Sequence, residues 1–280
     1  MNYRKEATRI SGWMASKISD SGCKGFIVGL SGGIDSAVVA CLAVQAVGRA
    51  NVIGVSMPSS SNPDASQNLA QQLATNLGIE LLLDPIGKIM EVIDEEFSDL
   101  TNDRLVIGNM HARLRMTLLY AEANKRDYMV AGTGNKSELE IGYFTKFGDG
   151  GVDMEPLGEY YKHEVYKIAD LFHAIPDSTI HRAPSAELWD DQTDEDEMGM
   201  TYEKLDKILS SLENKWTYAD MNQGKFTQEE MDRVKDMKHR AKHKNHTPPQ
   251  YPKDIPCDGD HTIKEDIMVK TLAYNEPEEV

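Results

Sequence analysis

The stretch that most constrains the fold runs from Lys24 to Val44. Lys24-Gly25-Phe26-Ile27-Val28-Gly29 is a short apolar run with β-branched members, the mark of a buried strand. Ala37-Val38-Val39-Ala40-Cys41-Leu42-Ala43-Val44 is apolar and rich in helix formers, so a helix is expected from about Asp35. Between them lies the octet Gly29-Leu30-Ser31-Gly32-Gly33-Ile34-Asp35-Ser36. On a strand-to-helix turn, free backbone N–H groups meet the positive end of the helix dipole, which favours anions and phosphate above all. The turn is not a Walker A loop, because it has no lysine, and it is not Gly-x-Gly-x-x-Gly. Asp35 is the anomaly. A carboxylate beside a phosphate nest is repelled unless a cation bridges the two, so the octet implies Mg²⁺.

The alternation continues along the chain. Residues 51–58, 80–84 and 127–131 read as further strands; 3–19, 64–77, 86–96 and 109–123 read as helices. In the first helix Ile10, Trp13, Met14 and Ile18 recur at helical spacing. This pattern predicts an α/β fold: a doubly wound, Rossmann-like parallel sheet with helices on both faces. Ligands of such sheets bind beyond the carboxyl ends of the strands, so loops 31–36, 57–63 and 132–138 are the expected walls of a site. The second half differs. Gly142 to Asp153 is a long Gly- and Asp-rich loop, 162–173, 202–213 and 227–242 read as helices, and 182–196 reads as a loop. Residues 1–252 are expected to form one domain. Residues 253–280 are expected to be a C-terminal extension, a surface arm or partly disordered.

The formal net charge of −16 disfavours a long polyanion such as DNA or tRNA as the main partner. A small anion held by a local basic cluster or a metal remains compatible with it. No apolar run is long enough to cross a bilayer, and the N-terminus leads into an amphipathic segment rather than a signal peptide. Cys23, Cys41 and Cys257 show no CxxC spacing, which fits a reducing, cytoplasmic setting.

The octet resembles the pyrophosphate-binding loop of the N-type ATP pyrophosphatases, which grips the β- and γ-phosphates of ATP while the α-phosphate is attacked. Further blocks choose within that superfamily. Asn109-Met110-His111-Ala112-Arg113-Leu114-Arg115-Met116, Gly132 to Glu138, and Gly142 to Asp153 resemble, in order, elements of the NAD synthetases. So do Ala183 to Trp189 with Gln192 to Glu195, and His243-Lys244 ahead of Pro248-Pro249. The resemblance implies an adenine nucleotide alpha hydrolase-like version of the fold. It implies ATP binding by Gly29, Leu30, Ser31, Gly32, Gly33, Ile34, Asp35, Ser36, Thr133, Lys162 and Ser185, and Mg²⁺ on Asp35 and Glu138. It implies deamido-NAD binding by Arg113, Lys146, Asp153, His243 and Lys244. Asp35, Glu138, Lys162 and Asp153 are then the catalytic group, with Asp153 also placing or deprotonating ammonia. Arg115, two residues beyond Arg113, is expected to point elsewhere.

The implied activity is ATP-dependent amidation of deamido-NAD with ammonia, giving NAD, AMP and pyrophosphate through an adenylated carboxylate. The implied assembly is a homodimer with the dinucleotide site at the subunit interface. Glutamine-dependent relatives carry an extra amidohydrolase domain; the octet begins at residue 29, so ammonia is the expected nitrogen source. One departure is Glu187, which stands where close relatives often have Gly or Asp. Two rival readings stay open: another enzyme of the superfamily with a different acceptor, and an ATP-sensing protein without turnover. A metal site on His239, His243 and His246 is a weaker reading than a basic segment facing an anionic dinucleotide.

Overall fold

The computed structural model describes residues 1–59, 64–185, 193–213 and 226–247. Residues 60–63, Glu187, Trp189, Gln192, Pro248, Pro249 and the extension 253–280, all singled out by the sequence, lie outside the described residues. The chain divides into two compact units, Met1–Asn245 and His246–Val280. Of the second unit only His246 and Thr247 are described.

Four strands form the sheet of the first unit: β1 (Gly25–Gly29), β2 (Val52–Ser56), β3 (Glu80–Leu83) and β4 (Tyr128–Ala131). All are parallel, in the order β3-β2-β1-β4, with Phe26 opposite Val52 on one side of β1 and opposite Met129 on the other. The connecting helices are α1 (Tyr3–Ser21), α2 (Ile34–Val47), α3 (Asp64–Leu77), α4 (Gly87–Glu96), α5 (Ser98–Thr101) and α6 (Arg104–Arg126). Beyond β4 come α7 (Lys136–Ile141), α8 (Lys162–Ala169), α9 (Asp177–Ile180), α10 (Asp194–Met198), α11 (Tyr202–Glu213) and α12 (Gln228–Ala241).

The central strands β1 and β2 are mostly apolar because both faces of the sheet are covered there, whereas the edge strand β3 leaves Glu80 and Leu83 exposed. Side chains alternate across the pleat. Phe26 and Val28 join the core beneath α1, α2 and α8, with Met14, Val38 and Ile168, whereas Ile27 joins Val55, Ile86, Met90 and Val130 beneath α4 and α6. A third cluster, around Met198, Leu205, Leu209 and Val234, binds α10, α11 and α12 together away from the sheet. Successive strands run from β1 to β3 on one side, and β4 then pairs on the other side of β1. The chain therefore reverses its direction of winding between β1 and β4, and the crevice above their carboxyl ends is where such sheets bind ligands.

Some elements differ from expectation. Helix α6 begins five residues earlier than the pattern suggests because Asp103 caps it, accepting the Leu105 N–H at 2.7 Å. Helix α8 stops at Ala169, and the segment read as the 182–196 loop runs into α10, capped by Thr193. Ile10 and Met14 of α1 are buried, but Trp13 is 42% exposed and lies outside that stripe. No helix of the described residues is long and apolar enough to cross a membrane.

Candidate active site

The octet folds as a nest at the start of α2. Gly33 is the N-cap and has no side chain to cover the first-turn amides, so no side-chain cap hydrogen bond forms there. Gly32 has φ +81°, and a Cβ on it would lie 2.8 Å from the Ser66 carbonyl oxygen of α3. Only glycine allows this close approach in a left-handed conformation. The Ser31 and Ser36 hydroxyls stand 3.3 Å apart at the mouth, and Ser31 Oγ accepts the Gly33 N–H at 3.2 Å.

Asp35 points from the first turn of α2 toward the end of β4. Its Oδ2 lies 2.5 Å from Lys162 Nζ, and its Oδ1 accepts from Asn135 Nδ2 at 3.0 Å. Asn135 is also the N-cap of α7 and forms a capping box with Glu138, each side chain accepting the other's backbone N–H at 3.1 Å. Glu138 Oε1 lies 3.5 Å from the same Lys162 ammonium. The lysine side chain is only 3% exposed. Burial opposes its charge, but Asp35 and Glu138 outweigh that and hold the ammonium well above the usual lysine range. Glu138 responds the other way. Burial, with Asp35 and Asp194 nearby, raises its carboxyl despite the attraction of Lys162.

The opposite wall comes from α10 and α11. Tyr202 O–H lies 2.9 Å from Asp194 Oδ2 and 3.2 Å from Glu138 Oε1, and its ring centroid is 4.9 Å from Lys162 Nζ. Asp194 is 4% exposed, and its Oδ1 has no hydrogen-bond partner. Three carboxylates thus face one ammonium. This surplus of negative charge, with a buried oxygen to spare, fits a cation. Among the described residues no three acidic, His or Cys groups are arranged to hold a metal by themselves. The arrangement suits a cation that brings oxygen ligands of its own, as Mg²⁺ on a nucleotide does.

A cavity of about 720 Å³ opens over these groups. Of the expected residues, Gly29, Leu30, Ser31, Gly33, Ile34, Asp35, Ser36, Thr133, Glu138, Lys162, Ser185, Arg113, Lys146, His243 and Lys244 line it together. Gly32 lies behind the nest against α3. Asp153 is exposed and does not belong to the lining; its carboxylate accepts the Val130 N–H at 2.8 Å and the Tyr120 O–H at 3.1 Å. Lys244 Nζ donates to the Gly142 and Phe144 carbonyls, both at 2.7 Å, and so fixes the entry to the 142–153 loop. Arg115 lies on another side of α6 from Arg113. It lines the same cavity, with Nε donating to the Met57 carbonyl at 3.2 Å. One face of α6 meets the cavity through Asn109, Ala112, Met116 and Leu119, with Arg113 and Arg115 at its two edges.

Asn135, Asp194 and Tyr202 are site residues that sequence reasoning missed. Asn135 had a signal, the Asn-x-x-Glu spacing of a capping box. Asp194 sat in an acidic run and Tyr202 at a helix start, and neither position marks a buried group.

Glu155 lies behind the Gly132-Thr133-Gly134 turn and accepts the Gly134 N–H at 3.0 Å. Burial pushes its carboxyl up to about 8. The folded state then holds a proton that the unfolded chain has released, so stability falls as pH rises from the ordinary glutamate range to about 8. Glu155→Gln, which can still accept the Gly134 N–H, should melt higher than the unmodified protein at pH values above that range and differ little in acid. Parallel thermal-unfolding curves across the range check this; an equal shift at every pH would count against it.

Comparison with known proteins agrees with this geometry. A family model described as NAD synthase matches residues 6–248. Over 201 residues the chain is 45% identical to an NH(3)-dependent NAD(+) synthetase of Methanococcoides burtonii, covering 71% of this chain and 76% of that protein. Among solved structures it is similar to an NMN synthetase from Francisella tularensis, at TM-score 0.80 and 32% identity over 90% of this chain and 99% of that one. It is also similar to an NH3-dependent NAD synthetase from Campylobacter jejuni subsp. jejuni solved in complex with the nitrate ion, at TM-score 0.75 and 27% identity over 90% of this chain and all of that one, 100%.

Proposed function

The chain belongs to the NAD synthase family, and from that premise we propose that it joins ammonia to the nicotinate carboxyl of deamido-NAD at the expense of ATP. It is a ligase forming a C–N bond. The observation that carries the reading is the Lys162 ammonium held between Asp35 of the glycine nest and Glu138 beyond β4. That arrangement places a buried cation and paired carboxylates beside a phosphate nest, at the rim where the sheet binds ligands.

The nest, with Ser31, Gly33 and Ser36, holds the β- and γ-phosphates. The acceptor carboxylate attacks the α-phosphorus, and the bond to the bridging oxygen breaks to release pyrophosphate. Lys162 offsets the charge that gathers on that leaving group. Ammonia then attacks the adenylated carboxyl carbon; AMP leaves and a proton is lost, giving the amide. Thr133 and Ser185 steady ATP, and Arg113, Lys146, His243 and Lys244 face the anionic acceptor. Asp153 binds the acceptor from the exposed side while its carboxylate anchors the end of β4. Mg²⁺ held by Asp35 and Glu138 would neutralise charge on the triphosphate. The chemistry is mostly positioning, so no nucleophilic side chain is named.

The test is pyrophosphate release with ATP, Mg²⁺ and ammonium, adding deamido-NAD, its mononucleotide counterpart or xanthosine monophosphate in turn. Release with deamido-NAD is expected. A preference for the mononucleotide would move the acceptor to the smaller substrate, a second reading favoured by the similarity to an NMN synthetase. Release with none of the three would sink both. We place the enzyme in the cytosol, where Cys23 and Cys41 stay free thiols; recovery of active protein only from an oxidising compartment would contradict that.

The enzyme works as a homodimer in this proposal. Ile89, Val92 and Phe97 on and after α4, and Leu105 and Val106 on α6, are exposed apolar side chains on neighbouring helices. Val92→Arg combined with Leu105→Arg should give a monomer by light scattering. A fully active monomer of the unmodified protein would overturn the assembly.

A further inference from the structure

Helix α8 starts on Lys162 without a side-chain cap of its own. Its N-cap is Tyr161, which makes no side-chain cap hydrogen bond; the phenol donates to Glu213 Oε2 at 3.0 Å instead. A helix start buried this way needs partners for its first amides. Two other helices supply them. The Lys162 N–H donates to Ser137 Oγ of α7 at 2.9 Å, and the His163 N–H donates to Asp206 Oδ2 of α11 at 3.0 Å. The Ser137 hydroxyl donates to the other oxygen of Asp206. Ser137 is 0% exposed and Asp206 2%. A buried carboxylate is costly unless its oxygens are filled, and here both are.

The direction of these bonds matters. A serine hydroxyl has one proton. With that proton on Asp206, the lone pairs of Ser137 turn toward the Lys162 amide. Asp206 therefore orients the bond it does not itself make. His163 Nδ1 lies 2.8 Å from the same Oδ2, so one carboxylate gathers Ser137 and His163 from two elements. Ser137 is the residue before Glu138, and Lys162 the residue before His163. One turn earlier on α11, Tyr202 meets the far end of Lys162, with its O–H on Glu138 and Asp194. Helix α11 thus holds the start of α8 through Asp206, directly at His163 and by way of Ser137 at Lys162, and meets the Lys162 ammonium with Tyr202.

We propose that Asp206 is the positioning residue of this active site, fixing through Ser137 and the first two amides of α8 where Lys162 and Glu138 stand relative to Asp35. It touches no substrate. The proposal rests on the ligase reading for its catalytic consequence, but not for the geometry it asserts. Asn in its place keeps the shape but has one acceptor oxygen, so it cannot accept both the Ser137 O–H and the His163 N–H; one arm of the bridge loses its acceptor.

Asp206→Asn and Ser137→Ala test this by two readouts. In pyrophosphate release, each should lower kcat about 10- to 100-fold per folded molecule, with KM for ATP within about threefold, because the nest is untouched and Lys162 is displaced. In amide hydrogen exchange, Lys162 should exchange about tenfold faster or more in Ser137→Ala, and at least one of Lys162 and His163 should do so in Asp206→Asn. A residue that merely stabilises the fold would lower the melting temperature and leave turnover per folded molecule unchanged; that outcome in both variants, with an active unmodified protein, overturns the proposal. If the unmodified protein releases no pyrophosphate, the ligase reading fails, and the exchange at Lys162 and His163 still decides whether Asp206 holds α8. Should Asp206→Asn not fold, Ser137→Ala carries the test, since it removes only the arm to Lys162.

Discussion

Lys162→Met should slow pyrophosphate release by about a thousandfold or more, the scale expected when a preorganised cation is taken from a developing polyanion. The side chain is buried between Asp35 and Glu138, with Asp194 behind, and among the described residues no other ammonium or guanidinium pairs with these carboxylates. Stability should fall too. Removing one partner of a buried ion pair costs roughly 3–5 kcal/mol in general. The cost here should be at the lower end, because burial already raises the Glu138 carboxyl and it can take up a proton. That escape closes with rising pH: the folded state holds a proton the unfolded chain has lost, so the deficit of the variant grows from acid to alkaline conditions. The two effects can be separated. Adding Asp35→Asn to Lys162→Met removes a stranded charge and should recover part of the melting temperature without recovering turnover. Release within tenfold of the unmodified rate in Lys162→Met would mean that the nest alone stabilises the leaving group.

The sheet could be read from the sequence because its central strands β1 and β2 are buried on both faces, so their apolar runs are continuous and punctuated by glycine or proline. The nest could be read because its glycines and Asp35 are adjacent in the chain. The site as a whole depends on distant partners. Lys162 meets Asp35 across 127 positions and Ser137 meets Asp206 across 69. Local pattern is blind to such pairs. Asp206 lies among Leu205, Ile208 and Leu209, where a lone carboxylate reads as the solvated edge of an amphipathic helix. Only the presence of uncapped amides on α8 makes its burial sensible. Arg115 shows the same limit: a spacing of two residues puts it on another side of α6 from Arg113, but the cavity reaches both sides.

Gly32→Ala should be among the most damaging small substitutions in the chain. The left-handed φ of +81° costs an alanine about 1–2 kcal/mol. The new Cβ would also lie 2.8 Å from the Ser66 carbonyl oxygen, 3.1 Å from Ser66 Cα and 3.3 Å from Leu69 Cβ. The first two are backbone atoms of α3 and cannot rotate away, so either α3 or the nest must move. A total of about 2–4 kcal/mol is expected, or roughly 5–10 °C in melting temperature for a chain of this size. KM for ATP should rise about tenfold or more, because the amides that hold the phosphates are carried by the same turn. Two other glycines make the comparison decisive. Gly12, exposed in the middle of α1, has nothing within 4 Å of the point where a methyl group would stand, and Gly12→Ala should gain about 0.5–1 kcal/mol. Gly33 has φ −84° and a Cβ there would meet only Ser31 Oγ, at 3.2 Å. Gly33→Ala should therefore weaken ATP binding with little loss of stability. If Gly32→Ala behaved like Gly33→Ala, the fold would not depend on the close approach of the nest to α3. If it behaved like Gly12→Ala, the nest would owe neither its shape nor its affinity to the glycine.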